Sequence, residues 1–201
     1  MKKKHTIFLD TSTIIGGGID FLERTSKVAN LFITDIVLQE LDGLKNAEGD
    51  TGYKAREIYR QFAPATTKEL YELPNRTELK RDDTLFEMTL PSGLVFYTIH
   101  RSRYKTRDIN DSKIIEVAND YKGTLATIDI AQSIRAKSVG CEVKIIQEDE
   151  LPIIESIRKS NNQSYSSNKK TRSHTFSDSS SDCIYTSPSH MGYSSNIYSS
   201  D

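Results

Sequence analysis

Apolar residues fall in short clusters whose spacing alternates between two kinds along most of the chain. The runs HTIFL at 5–9 and LFIT at 31–34 are too short and too continuous for helices and predict buried strands. Between and after them the spacing becomes helical. IVLQELDGLK (36–45), with Thr34 or Asp35 placed to cap it, and YKAREIYRQF (53–62), which ends before Pro64, both repeat apolar residues three and four apart. TLFEMTL and LVFYTIH flank the turn triplet Pro91-Ser92-Gly93 and predict a hairpin over 84–100. The helical pattern resumes at 111–121 and 130–140, interleaved with strands at 124–128 and 142–146, and a last helix runs through LPIIESIRK. Strands separated by helices predict a three-layer α/β/α fold around a mainly parallel sheet, with the hairpin as an insertion.

From Ser160 onward the pattern disappears. Segments such as SNNQSYSSNKKTRSH and SDSSSD cannot bury enough apolar surface to offset their ordering entropy, so one folded domain over 1–155 and a disordered tail over 156–201 are expected. The four tail tyrosines leave room for a protein partner. A formal net charge of -1 excludes a uniformly basic nucleic-acid binder, so any polyanion must be held by a local patch or through metal. Two cysteines, Cys141 and Cys183, build neither a disulfide framework nor a zinc knuckle, which suits a reducing, cytoplasmic setting. Asp10 interrupts the first apolar stretch before it reaches signal or membrane-span length, so no membrane association is expected.

Acidic residues in apolar surroundings carry the chemistry. On a helical projection of 36–45 the apolar arc runs from Ile36 through Leu44, Val37 and Leu41 to Leu38, and Glu40 falls inside it at about 300° from Val37. On the 111–121 projection Asp111 falls at about 60° from Ile114, again within the apolar face, while Glu116, Asn119 and Asp120 turn outward. An ionised carboxylate aimed at a core costs several kcal/mol unless a cation or hydrogen bonds compensate. Asp10 and Asp129 directly follow strands and should emerge at the carboxyl edge of the sheet, where open α/β folds bind ligands. Either could instead cap a helix, as could Asp111. Four converging carboxylates would repel one another unless hard cations such as Mg²⁺ or Mn²⁺ neutralise them. The Ser12 hydroxyl could hold a carboxylate or a metal-bound water. Asp108 is a reserve ligand, and Asp42 and Glu48 read as solvated charges.

Other motifs are sparser. Gly16-Gly17-Gly18 lacks the Lys-Ser/Thr of a phosphate loop and reads as a flexible turn. The histidines have no ligand spacing. The stretch His100–Arg107 surrounds Tyr104 with Arg101, Arg103, Lys105 and Arg107, a composition suited to phosphate contacts with one base stacked on the ring. Lys45, Lys54, Arg56, Arg60 and Arg135 are further candidates for RNA contact, each reading first as a surface charge.

The segments FLDTSTII (8–15), VLQELDGLK (37–45) with KAREIYR (54–60), NDSKIIEVA (110–118) and ATIDIAQSIRAKSVG (126–140) resemble a PIN domain. The Glu-Leu-Asp-x-Leu-Lys run and the following Ala-Arg-Glu are closest to the PIN domain of PhoH-like proteins, although no phosphate loop follows and Ser133 stands where an Arg is frequent. The resemblance implies a Mg²⁺- or Mn²⁺-dependent endoribonuclease with Asp10, Glu40, Asp111 and Asp129 as its metal and catalytic residues. Thr11 or Ser12, with Thr127, would support them. Hydrolysis by a metal-activated water would leave 5′-phosphate and 3′-hydroxyl ends on single-stranded or structured RNA. A non-catalytic RNA-binding scaffold and a DNA-directed flap-type nuclease remain open, as does a homodimer. A phosphatase of the haloacid dehalogenase type would need an acid where Ser12 stands.

Overall fold

The computed structural model describes residues 4–107, 109–147 and 150. The apolar runs become adjacent central strands: β1 (His5–Leu9), β2 (Ala29–Thr34) and, on the other side of β1, β6 (Thr124–Thr127), all parallel. Phe8, Leu9, Leu31, Phe32, Ile33 and Leu125 are buried because helices cover both faces. Each fully buried side chain of this size contributes about 1.5–3 kcal/mol.

The sheet has seven strands in the order β3-β4-β5-β2-β1-β6-β7. β4 (Asp83–Thr89) and β5 (Val95–Arg101) form the predicted hairpin, β5 lies parallel to β2, and β7 (Glu142–Ile145) lies parallel to β6. Aromatic rings bridge the middle strands: Phe8 and Phe32 are 5.2 Å apart between centroids, and Phe32 and Tyr97 5.1 Å. Both pairs are cross-strand neighbours in register. α1 (Thr11–Ser26) packs on α2 (Asp35–Leu44) and α3 (Gly49–Phe62), and α4 (Asn110–Asp120) on α5 (Ile130–Ser138). The molecule is thus the expected three-layer α/β/α arrangement with a mixed, mostly parallel sheet. Thr34 caps α2 as foreseen, accepting a hydrogen bond from the Val37 backbone N–H. No helix among the described residues is long and apolar enough to cross a membrane.

Two elements depart from the sequence reading. The glycine triplet is no loop: Gly16 and Gly17 lie within α1, and only Gly18, at φ 60° and ψ -167°, breaks it with a kink. Asp10 starts this helix by accepting the Thr13 N–H at 2.8 Å, and Gly17 leaves room for Phe21, whose Cβ would stand 2.7 Å from a Cβ at position 17. β3 (Thr66–Leu70) was not anticipated; it pairs antiparallel with β4 at the edge of the sheet. The predicted last helix and the tail fall outside the described residues, except for parts of their approach at 147 and 150.

Gly52 lies in the first turn of α3, packed against the turn before the helix. A methyl group there would meet the Ala47 carbonyl oxygen at 1.8 Å, against backbone that cannot rotate away. Gly52→Ala is expected to lower unfolding stability by about 1–3 kcal/mol, as overpacking does, measured by urea denaturation.

Candidate active site

The winding of the sheet places the site. From β1 the chain moves outward to β2 and later returns to lay β6 on the opposite side, so the strand order reverses at β1 and leaves a crevice beyond the carboxyl ends of β1 and β6. Asp10 leaves β1 into this crevice and Asp129 follows β6. α2 contributes Glu40 and α4 contributes Asp111. All four line one cavity of about 410 Å³, together with Thr11, Ser12, Thr51 and Gln132.

Each acid is held by donors of the chain itself. Asp10 is 3% exposed; its Oδ2 accepts the hydroxyls of Ser12 at 2.5 Å and Thr127 at 2.8 Å, while its Oδ1 caps α1. Glu40 accepts a short hydrogen bond from the Thr11 hydroxyl. Asp129 caps α5 through Oδ1, which accepts the Ala131 and Gln132 N–H groups at 2.7 and 3.2 Å. Asp111 does not cap α4, whose N-cap is Ile109. Its Oδ1 accepts from Gln132 Nε2 at 3.3 Å, and its Oδ2 pairs with Arg135 Nη2 at 2.8 Å. The three hydroxyl residues named by the resemblance, Thr11, Ser12 and Thr127, therefore all touch carboxylates of the cavity.

Among the described residues no three His, Cys, Asp or Glu side chains stand close enough together to hold a metal ion as placed. The donor chemistry nonetheless fits a hard divalent cation: four carboxylates, three hydroxyls and the Gln132 side-chain oxygen, which is buried without a hydrogen-bond partner in a residue 2% exposed. Gln132 and Thr51 were not singled out from the sequence. Gln132 sits three residues beyond Asp129 on the same helical face, which is the signal that could have found it.

The basic stretch from His100 to Arg107 divides between a buried network and exposed cations. Arg101, with its side chain 3% exposed, binds Asp83 through Nε and Nη2 at 2.8 and 2.7 Å. Its Nη1 reaches Glu116 and Asp120, each at 2.9 Å. Tyr121 donates its hydroxyl to Asp83 Oδ2 at 2.6 Å. Glu116 and Asp120 thus do not simply face water; a buried guanidinium beneath α4 claims them. Burial pushes the Asp120 carboxyl up, but hydrogen bonds from Lys105 and Arg101 outweigh it and hold the group below its ordinary value. Tyr104 is half-buried and donates its hydroxyl to Asp35, and burial together with that bond pushes its phenol well above the usual range. Lys105 pairs with Asp120 at 3.1 Å. Arg103 and Arg107 are exposed. Lys45 pairs with Asp42 and lies over the Tyr59 ring, 4.4 Å from its centroid. Lys54 and Arg60 form helical ion pairs, and Arg56 donates to the Lys45 carbonyl. Asp108 falls outside the described residues.

The fold and the cavity define a three-layer α/β/α protein with a carboxylate-lined pit at the reversal point of its sheet. Residues 7–147 match the PIN domain family, and the chain belongs to it. The PIN superfamily is broadly associated with nucleic-acid hydrolysis. No curated protein matches the chain. Among solved structures, a domain of a functionally unknown protein from Methanocaldococcus jannaschii DSM 2661 is similar at 18% identity and a TM-score of 0.44, over 72% of this chain and 92% of that one.

Proposed function

We propose that the protein is a divalent-cation-dependent endoribonuclease that hydrolyses RNA phosphodiester bonds at the acid-lined cavity. The observation that carries this reading is the meeting of Asp10, Glu40, Asp111 and Asp129, distant in sequence, on one cavity at the carboxyl edge of the sheet. Those four carboxylates would hold Mg²⁺ or Mn²⁺, which supplies water activation and neutralises charge building on the phosphate. The chain's own groups prepare the site. Ser12, Thr127 and the Thr13 N–H fix the plane of the Asp10 carboxylate, and Thr11 turns Glu40 into the cavity wall. Asp129 is oriented by the first turn of α5. Such fixed dipoles need no reorganisation when charge develops. Arg103 and Arg107, exposed after β5, would meet a phosphate backbone. The closer kinship to the PIN domain of PhoH-like proteins rests on the motifs at 37–45 and 54–60.

The test is cleavage of labelled single-stranded RNA, structured RNA and DNA with Mg²⁺, with Mn²⁺ and with chelator. RNA should be cut only with metal, leaving 5′-phosphate and 3′-hydroxyl ends. A 2′,3′-cyclic end would rule out direct attack by water. Preferential DNA cleavage would reassign the substrate, and RNA binding without cleavage would make the domain a scaffold.

A further inference from the structure

Arg135 stands between two differently charged spaces. On one side its Nη2 occupies Asp111 Oδ2 at 2.8 Å, while Gln132, one helical turn earlier, occupies Oδ1 at 3.3 Å. Both oxygens of one of the cavity's four acids are thereby engaged by α5. On the other side Arg135 lines a cleft of about 480 Å³ between α4 and α5, with Lys105, Ser112, Asn119 and Ser138 among its walls. The one acid among the described residues of that cleft, Glu116, is already bound by Arg101 and by the backbone N–H groups of Lys105 and Thr106. Arg135 is anchored loosely, its Nε donating to the Ala131 carbonyl at 3.4 Å, and its side chain is 38% exposed.

We infer that Arg135 is an exchangeable counter-cation: it holds Asp111 while the acidic cavity lacks a divalent ion, and once such an ion takes Asp111 it turns to the α4–α5 cleft and binds a phosphodiester of the nucleic-acid strand. The inference rests on the proposed use of Asp111 as a metal ligand. Two charges cannot share one carboxylate at full strength, so a divalent ion displaces the guanidinium. The cleft then sets the released group beside Lys105, which pairs with Asp120, and the hydroxyls of Ser112 and Ser138, a set that recognises phosphate independently of base identity. Metal entry and substrate grip become coupled through one side chain.

A merely structural Arg135 would, when removed, weaken both ligands; an exchangeable one gives effects of opposite sign. Calorimetric titration of Mn²⁺ into Arg135→Gln should show binding about threefold to tenfold tighter than wild type, the scale of one partly exposed charged hydrogen bond. With all four acids intact and Mn²⁺ present, the same change should weaken binding of a labelled single-stranded RNA decamer by a similar factor, read by stopped-flow fluorescence anisotropy ahead of cleavage. Lys105→Gln removes the same charge from the cleft without touching Asp111 and should shift Mn²⁺ affinity less than twofold. Circular dichroism checks that each variant is folded. Unchanged or weaker Mn²⁺ binding by Arg135→Gln, an equal gain from Lys105→Gln, or unaltered RNA affinity would each overturn the exchange. Wild-type protein that cuts RNA while Arg135→Gln binds Mn²⁺ no more tightly refutes the exchange alone. Wild-type protein that shows the exchange yet never cuts refutes the nuclease reading alone.

Discussion

Asp10→Asn is expected to reduce metal-dependent RNA cleavage by at least about 10²–10³-fold, the scale on which a preorganised charge-stabilising group acts, while leaving the fold intact. The separation follows from what each oxygen does. Oδ1 caps α1 by accepting the Thr13 N–H, and Asn keeps a carbonyl oxygen for that bond and is as good an N-cap as Asp. Oδ2 accepts the Ser12 and Thr127 hydroxyls, which can rotate to accept from an amide N–H instead. The side chain is 3% exposed and the replacement has nearly its volume. What disappears is the negative charge, which is what a cation needs. A melting temperature within about 2–4 °C of wild type, equivalent to about 1 kcal/mol for a domain of this size, together with lost cleavage would assign Asp10 to the chemistry. Normal cleavage by the variant would remove it from the site.

Arg101→Met is expected to produce the largest loss of stability, about 3–5 kcal/mol, because removing one partner from a buried ion pair leaves uncompensated charge. Asp83 has no exposed side-chain surface and receives two of the guanidinium's hydrogen bonds; Glu116 and Asp120 receive the third nitrogen's. For a domain of this size the loss corresponds to about 6–20 °C in melting temperature. Adding Asp83→Leu should recover part of it, since the orphaned charge goes too. Acid separates this network from apolar packing. The folded-state pKa of Asp120 lies below its ordinary 3.8, so its contribution is full above that value and fades as pH falls through the lower, folded one. Thermal melts from pH 7 down to pH 3 should therefore show the gap between wild type and Arg101→Met narrowing as acid protonates the carboxylates left without their cation, the Asp120 share of it going below about pH 4. A gap independent of pH throughout would mean that Arg101 acts through its carbon stem.

The central strands were legible because their side chains are buried on two faces and must be continuously apolar, as at Phe8-Leu9 and Leu31–Ile33. Asp10 and Asp129 were legible from their position after strands, and Glu40 and Asp111 from their place within apolar helical arcs. β3 was not, because Thr66–Glu69 are exposed at the sheet edge and are held by backbone pairing to β4 rather than by any apolar pattern. α1 was hidden by its three glycines; the Asp10 cap and the close approach of Phe21 to Gly17 hold Gly16 and Gly17 in the helix, while Gly18 kinks it. Arg101 resembled a surface cation because its neighbours in sequence are basic, whereas its partners come from β4 and α4. The pairing of Arg135 with Asp111 likewise depends on how α4 meets α5, which no local window contains.

Two of the four cavity acids are also the residues that begin helices: Asp10 opens α1 and Asp129 opens α5. Their placement is thus a by-product of winding those helices, so no ion has to be present while the polypeptide is being made. Small zinc modules, by contrast, remain unfolded until loaded. Under the proposed function, the supply of cation would govern when the centre works, and the integrity of the molecule would be left to its backbone.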